Sequence, residues 1–588
     1  MADIISIVHN NPNSFANKNN ICKNLCCYYK NIEKKELINL PQNPQPFAIG
    51  GMGGIPISYD IEKESVYVDQ TDKHSITIGQ TGSKKSRLVA MPLVRILGAA
   101  QESMIISDPK AEIYYRTSEY LSKKGYEIKV INLREPNRGH AWNPLALPYN
   151  FYKEGNIDRA YEFANDIAVN LTTIDKSQKD AFWDNSAGTL FLGLILLLFK
   201  FCYEHNEPDE TVSISNILEL RNMLFSTSEP QYNPLWKYAK TDRFIESMLI
   251  GTVTTAQETR AGILSVFDQK MRAFSVQPAL LSMLSRNDSG YDYITEKPSV
   301  VYLLLPDEKT GYHNLVSLYI KQSYEYLIYK AQNSINKNKS LGIRINYILD
   351  EFSSLPAISD FPAMITAARS RNIRFNLFLQ SKKQLFLKYN EECNTIMSNC
   401  ENWVYLSSRE LDFLKELSEL CGETNNGNRK PLLSISDLQK LDKEKGQVLI
   451  LSGRNKPLIT YLPDIDFYDE GKPDLNTQVF RLQKSIVDNS FSERVKQTIF
   501  KALDREKNVD NSSVLEHKDE VNNLIQQLMG KEVSDLKVSI TTSNGKPLDI
   551  NKRDTETEIS GINQLPNSIG KKESIIDIII DLFRRKEK

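Results

Sequence analysis

The sequence predicts an α/β protein: a doubly wound, mostly parallel sheet with helices on both faces and an all-helical block set into it. Three observations lead there. Short, mostly apolar, β-rich runs recur along the chain: HSITIG, SMIISD, YEIKVINL, SVVYLLLP, INYILDE, RFNLFLQS, NWVYLSS and QVLILSG. Strands without polar alternation belong in a parallel sheet covered on both faces. Helical patterns separate several of these runs, as they do in doubly wound cores. Between about Asn150 and Thr295 the strand pattern vanishes, and it resumes at Val300.

Taken in order, residues 1–54 are polar and Asn-rich, with few periodic signals, and read as an N-terminal segment. Residues 55–149 and 296–475 read as one discontinuous sheet domain. Residues 150–295 form the all-α domain, on the strength of NIDRAYEFANDIAVNLT, FWDNSAGTLFLGLILLLFKFCYEH, SISNILELRNMLF and FIESMLIGTVTTAQETRAGILSVFDQKMRAF. Residues 476–588 turn rich in Asn, Ser, Lys, Asp and Glu and read as a partly disordered extension. The last segment, ESIIDIIIDLFRRKEK, is an apolar stripe with a basic end, a docking helix or a membrane-touching one.

Composition bounds the function. The chain has 588 residues, 40% of them apolar, and a net charge of −1. Any nucleic-acid surface must therefore be a local patch. Seven cysteines, an odd number without disulfide-type spacing, point to a reducing compartment. Cys22, Cys26 and Cys27 cluster but lack paired zinc-ligand spacing, so they read as free thiols. MADIISIVHNNPNSF has neither the basic start nor the apolar core of a signal peptide. The run Leu190–Cys202 is shorter than the about 20 apolar residues a bilayer needs and reads as a core helix.

Chemistry enters at Gly79–Gln80–Thr81–Gly82–Ser83–Lys84–Lys85–Ser86, between an apolar strand and the helical RLVAMPLVRIL. This is the context of a phosphate-binding loop, in which backbone N–H groups and the helix start point at phosphates. Lys85 supplies charge to phosphate and Ser86 a hydroxyl to Mg²⁺; Arg87 follows on the same helix start. Lys84 stands where such loops carry glycine. Either its side chain leaves the cradle or the backbone departs from the usual dihedrals. The competing reading of this stretch is a basic surface turn.

INYILDEFSSLP places Asp350 and Glu351 at the C-terminal end of a buried strand, where ligands sit in open α/β sheets. Asp350 is assigned to the Mg²⁺ shell, and Glu351 to orienting or deprotonating an attacking water. Gln380 ends the next strand, where it senses the γ-phosphate or caps the strand. Arg369, on the helix after the acidic pair, is a candidate arginine finger, with Arg371 and Arg374 as rivals. Asp108 ends SMIISD and either closes the site or turns the chain.

These residues together resemble the TraG/TraD-type coupling proteins, the ATPases of type IV secretion and conjugation. The resemblance rests on TIGQTGSKKSR, SMIISDPKAEIYYRTSEYL, AWNPL, AFWDNSAGTLFLGLILLL, LLPDEKTGYHNLVSLYIKQ, ILDEFSSLPAISDFPAMITAARSRNIRFNLFLQSKKQL and GQVLILSG, in the family's order. It implies a RecA-like P-loop nucleotide-binding domain with an inserted all-α domain, ATP and Mg²⁺ as ligands, and assembly as a homo-hexamer, with isolated subunits monomeric in solution without DNA. It implies ATP hydrolysis coupled to passing single-stranded DNA with its relaxase, or protein substrates, to secretion-channel components. By motif position, Lys85 and Ser86 match the Walker A pair, Asp350 and Glu351 match Walker B, Gln380 the third motif and Arg369 the arginine finger.

The chain departs from that family in two ways: Lys84 replaces the glycine, and no transmembrane helices precede the sheet domain. A separate membrane anchor protein is therefore expected to hold it in the cytoplasm at the inner face of the cell membrane. Two other readings stand beside this one. One is a nucleotide-binding adaptor that recruits substrates with little hydrolysis; the other is a FtsK/HerA-like pump on duplex DNA.

Overall fold

The computed structural model describes residues 53–60, 65–172, 181–288, 290–306, 310–336, 338–423, 430–468 and 490–500, with the strand segments 25–29, 540–541 and 547–548. Its first unit runs to Ser492. Three short strands, β1 (Leu25–Tyr29), β2 (Ile55–Asp60) and β3 (Ser65–Asp69), pair antiparallel in the order β1-β3-β2. β1 falls inside the polar segment 1–54, where the sequence offered no strand signal. Of the N-terminal cysteines, Cys26 and Cys27 lie on β1, and Cys22 lies outside the described residues. Among the described residues Cys202, Cys393, Cys400 and Cys421 are free and buried.

The main sheet is built from β4 (Ser75–Gly79), β5 (Ser103–Asp108), β6 (Glu127–Asn132), β7 (Ser299–Leu304), β8 (Ile345–Leu349), β9 (Ile373–Leu379), β10 (Asn402–Ser407), β11 (Gln447–Ser452) and β12 (Leu458–Tyr461). Their order is β12-β11-β10-β4-β9-β8-β5-β7-β6. From β10 to β6 all neighbours are parallel; β11 and β12 close one edge antiparallel. The eight predicted runs are all strands of this sheet. Every residue of β4, β5, β7, β8 and β9 is buried, which is why these strands carry no polar alternation.

Both faces are covered. One carries α1 (Met91–Ala99) and α2 (Glu112–Lys123), whose Leu93, Val94 and Ile113 share a core cluster with Ile106, Tyr302, Ile348 and Phe378. On the other face Phe375 stacks on Tyr347 with ring centroids 4.9 Å apart and meets Phe361 at 5.1 Å.

Between β6 and β7 the chain is helical: α3 (Ala146–Lys153), α4 (Ile157–Thr172), α5 (Ala181–Glu204), α6 (Ile214–Leu224), α7 (Pro234–Ala239), α8 (Arg243–Val253), α9 (Gln257–Ser275), α10 (Pro278–Met283) and α11 (Tyr293–Glu296). The helical segment Phe244–Phe274 comprises two helices, α8 and α9. The break falls at Thr254–Ala256, and buried Arg260 donates hydrogen bonds to the Val253 and Thr255 carbonyls there (3.2 Å each). α5 is longer than the run that marked it. Its length and composition are those of a membrane span, but 72% of its most apolar window is buried within the protein.

After β7 come α12 (His313–Gln332), α13 (Phe361–Ala368), α14 (Lys382–Tyr389), α15 (Glu392–Asn399), α16 (Leu411–Cys421) and α17 (Ile435–Gln439). The second unit, from Glu493, contributes described residues only up to Phe500 and the strand pair Ile540–Thr541 and Pro547–Leu548. The terminal stripe ESIIDIIIDLFRRKEK lies outside the described residues.

Candidate active site

The sheet order places the chemistry. Parallel strands bring their C-terminal ends to one edge, and β9 lies between β4 and β8. The loop after β4 and the acids after β8 are therefore two strand spacings apart, about 10 Å. The first helical turn after the loop spans that gap: Ser86 Oγ donates to Asp350 Oδ2 at 3.1 Å.

Within the loop, Gly79 is required by close approach, since a Cβ there would lie 2.4 Å from Ser83 Oγ. Gly82 has φ 78°, a conformation that glycine adopts without strain. Residues Ser86–Ala90 are wound as a π turn before α1 continues. The N–H groups at such a helix start have no partners within the helix. Lys85 is buried and its Nζ donates to the Gly79 carbonyl at 2.6 Å, folding it over the loop's interior. Burial holds its ammonium below the usual lysine range, against the opposing pull of Asp350 and Glu351. Ser83 Oγ is buried without a hydrogen-bond partner.

Lys84, where such loops carry glycine, has a left-handed backbone, with φ 64°. Such a conformation costs an L-residue about 1–2 kcal/mol. Its side chain leaves the cradle, and Nζ meets Glu444 Oε2 at 2.6 Å. Of the two options that the sequence left open, the structure shows the first: the side chain points out of the cradle. Arg87 is turned away from the loop: its guanidinium is bidentate on Asp464 and reaches Asp466 at 2.7 Å. The structure does not bring it to the phosphate cradle, because these two carboxylates, past β12, claim it first.

The acidic pair stands just beyond β8. Asp350 is buried, and burial pushes its carboxyl up to about 6, with Lys85 opposing and Glu351 adding to the rise. Glu351 has φ 51°, so the backbone swings left-handed rather than continuing the strand's alternation. This turns its carboxylate toward Gln380, whose Nε2 donates to Oε1 at 3.3 Å. Lys110 Nζ stands 3.9 Å from the same oxygen. Sequence reasoning missed Lys110; its only signal was its place two residues after the strand-end Asp108.

Asp108 is buried at the tip of β5 and accepts the Tyr114 N–H at 2.8 Å, turning the chain into α2. Burial pushes its carboxyl up to about 7, with the neighbouring charge of Asp350 contributing.

The three arginines separate clearly. Arg374 is buried in β9, bonded to Glu102 (2.9 Å), Asn346 (2.7 Å) and the Thr71 carbonyl (2.8 Å), which excludes it as a finger. Arg369 lies beside the start of β9, roughly 20 Å along the strand from Gln380. It is ion-paired to Glu401 at 2.5 Å and Asp72 at 3.0 Å and does not approach its own subunit's loop. Arg371, partly exposed, makes no ion pair among the described residues.

The set of Lys85, Ser86, Asp350, Glu351 and Gln380 fits a magnesium-bound nucleoside triphosphate. A cradle that a Cβ would fill, an orphaned hydroxyl within it, and a serine–carboxylate pair for a hard cation all meet there. Fold and site together define a RecA-like P-loop protein. The family model for type IV secretory system conjugative DNA transfer matches residues 16–440, and the chain belongs to that family. Solved structures with this fold include the bacterial conjugative coupling protein TrwB lacking its first 70 residues, with sulphate: 14% identity, TM-score 0.51, over 69% of this chain and 88% of that one. TrwB with a non-hydrolysable ATP analogue matches at 14% identity and TM-score 0.51, over 75% of this chain and 98% of that one. TrwB with a non-hydrolysable GTP analogue matches at 15% identity and TM-score 0.51, over 70% and 89%. At such identity these likenesses speak to fold alone. No curated protein matches.

Proposed function

We propose that this chain is the coupling ATPase of its transfer system, hydrolysing ATP to drive single-stranded DNA with its relaxase, or protein substrates, toward the secretion channel. The observation that carries the reading is the convergence of Lys85, Ser86, Asp350, Glu351 and Gln380 at one sheet edge. Membership of the conjugative DNA-transfer family and the nucleotide analogues bound by TrwB support it.

Lys85 leaves the Gly79 carbonyl to bind the β- and γ-phosphates. Ser86 and Asp350 hold Mg²⁺. The metal, when bound, neutralises charge building on the phosphate oxygens. Glu351 takes a proton from the attacking water, and Gln380 fixes Glu351's carboxylate in position. The outward turn of Lys84 supports an active loop over an adaptor with little hydrolysis, since the cradle stays clear of its side chain. The active state is a homo-hexamer, with Arg369 reaching a neighbour's γ-phosphate once freed from Asp72 and Glu401. A membrane-bound partner holds the ring at the inner face of the cell membrane.

The test is ATP turnover with and without single-stranded DNA, beside the Glu351→Gln chain. Turnover stimulated by DNA and lost in Glu351→Gln, with ATP still bound, is the expected result. Parental turnover in Glu351→Gln overturns the assignment of the water-activating group.

A further inference from the structure

Besides the acidic pair, the phosphate loop has a second neighbour. On the β10 side of β4, a cleft of roughly 330 Å³ opens among Gln80 and Thr81 of the loop, Gln380 after β9, and Ser408 and Arg409 after β10. Its wall shares Gln380 with Glu351, so it adjoins the end of the site where the terminal phosphate is attacked.

We infer that Arg409 is a phosphate-contacting residue in cis, closing over the γ-phosphate of the nucleotide bound by its own subunit. The inference rests on the nucleotide reading above. Charge motivates it. Lys85 and Lys110 are offset by Asp350 and Glu351, so the site as built has no surplus positive charge. A magnesium-bound triphosphate is still a net anion, and bond cleavage moves charge onto its oxygens, so further cations are needed close by.

The nearby arginines are spent: Arg87 on Asp464 and Asp466, Arg116 on Asp466, Arg374 on Glu102. Arg369 is paired at the opposite end of the sheet. Arg409 is exposed at the cleft, and among the described residues no hydrogen bond or ion pair engages its guanidinium. Its neighbour Glu410 is occupied by the Ser381 hydroxyl. A long, uncommitted fork on a strand tip next to the loop can reach a bound phosphate without any movement of the sheet.

The experiment measures affinities of the full chain, its Arg409→Ala and its Arg409→Lys variants for MgADP and for MgATPγS. A contact to the γ-phosphate predicts that the preference for MgATPγS over MgADP falls about 10- to 100-fold in Arg409→Ala. MgADP affinity should stay unchanged, and Arg409→Lys should fall between. Equal preference in the parental and Arg409→Ala chains overturns the inference while leaving the nucleotide site standing. A parental chain that binds neither nucleotide sinks the site itself, and this inference with it. Mixing Arg409→Ala with Glu351→Gln subunits should recover no turnover, because each site then lacks one of its own groups. Recovery would overturn the assignment in cis.

Discussion

Asp108→Asn tests the electrostatics of the site edge with a change that leaves shape almost untouched. The Asn carbonyl can still accept the Tyr114 N–H that Asp108 accepts at 2.8 Å. What disappears is a carboxylate that burial pushes up to about 7 from 3.8, with Asp350 adding to the rise. The sign follows from linkage. The folded chain holds this proton more tightly than the unfolded chain. The stability it contributes is complete below pH 3.8 and is lost as pH rises through 7. About three units at ~1.4 kcal/mol each give about 4 kcal/mol as the full cost of ionisation at pH 8. The attraction of the carboxylate to the start of α2, about 0.3–1 kcal/mol, is already part of that balance and is lost in the amide. Urea unfolding of both chains from pH 4 to 8.5, without nucleotide, reads the difference. The amide variant should equal the parent near pH 4 and exceed it by about 2–4 kcal/mol at pH 8. A gap that does not change with pH, or a variant less stable at pH 8, refutes the reasoning.

Three further predictions concern the loop and the arginines. Lys84→Gly removes a left-handed lysine but frees the unfolded chain, so stability should change by no more than about 1 kcal/mol, with turnover nearly parental. A turnover loss beyond about tenfold would mean that Lys84 contributes to phosphate binding. Arg374→Ala removes the nearer of the two arginines paired with buried Glu102, leaving Arg344 at 3.5 Å, and should cost about 3 kcal/mol in chemical denaturation; a cost below about 1 kcal/mol contradicts a structural role. Arg369→Ala should lower turnover only in the assembled state. Mixing it with Glu351→Gln subunits should restore part of that turnover, and no recovery counts against a finger acting between subunits.

The parts of the fold that the sequence made legible are those where one physical effect dominates. Burial on both faces erases polar alternation, so β4, β5, β7, β8 and β9 announce themselves as apolar runs. β2, β3 and β12 are short; β2 carries Pro56 and Ser58 although both are buried, and β12 lies half-exposed at the edge of the main sheet. The helix break at Thr254–Ala256 carries no Gly or Pro; it is held by the Arg260 guanidinium, a contact no local pattern encodes. In the site, Lys85, Ser86, Asp350 and Glu351 were legible because loop and strand end each carry their own signature. The outward path of Lys84 depends on Glu444, 360 residues away. Arg87 is diverted by Asp464, 377 residues away. Arg369 and Arg374 look alike in ITAARSRNIRF, yet one sits before β9 and the other inside it, and burial alone separates them.

The placement of β9 has a mechanical consequence. One end begins beside the Arg369 corner, the other delivers Gln380 to Glu351, and hydrogen-bonded strands flank it on both sides. β8 pairs with Ile373–Leu377 and β4 with Asn376–Leu379, so every residue of β9 is held by at least one neighbour and the strand is a stiff link between its two ends.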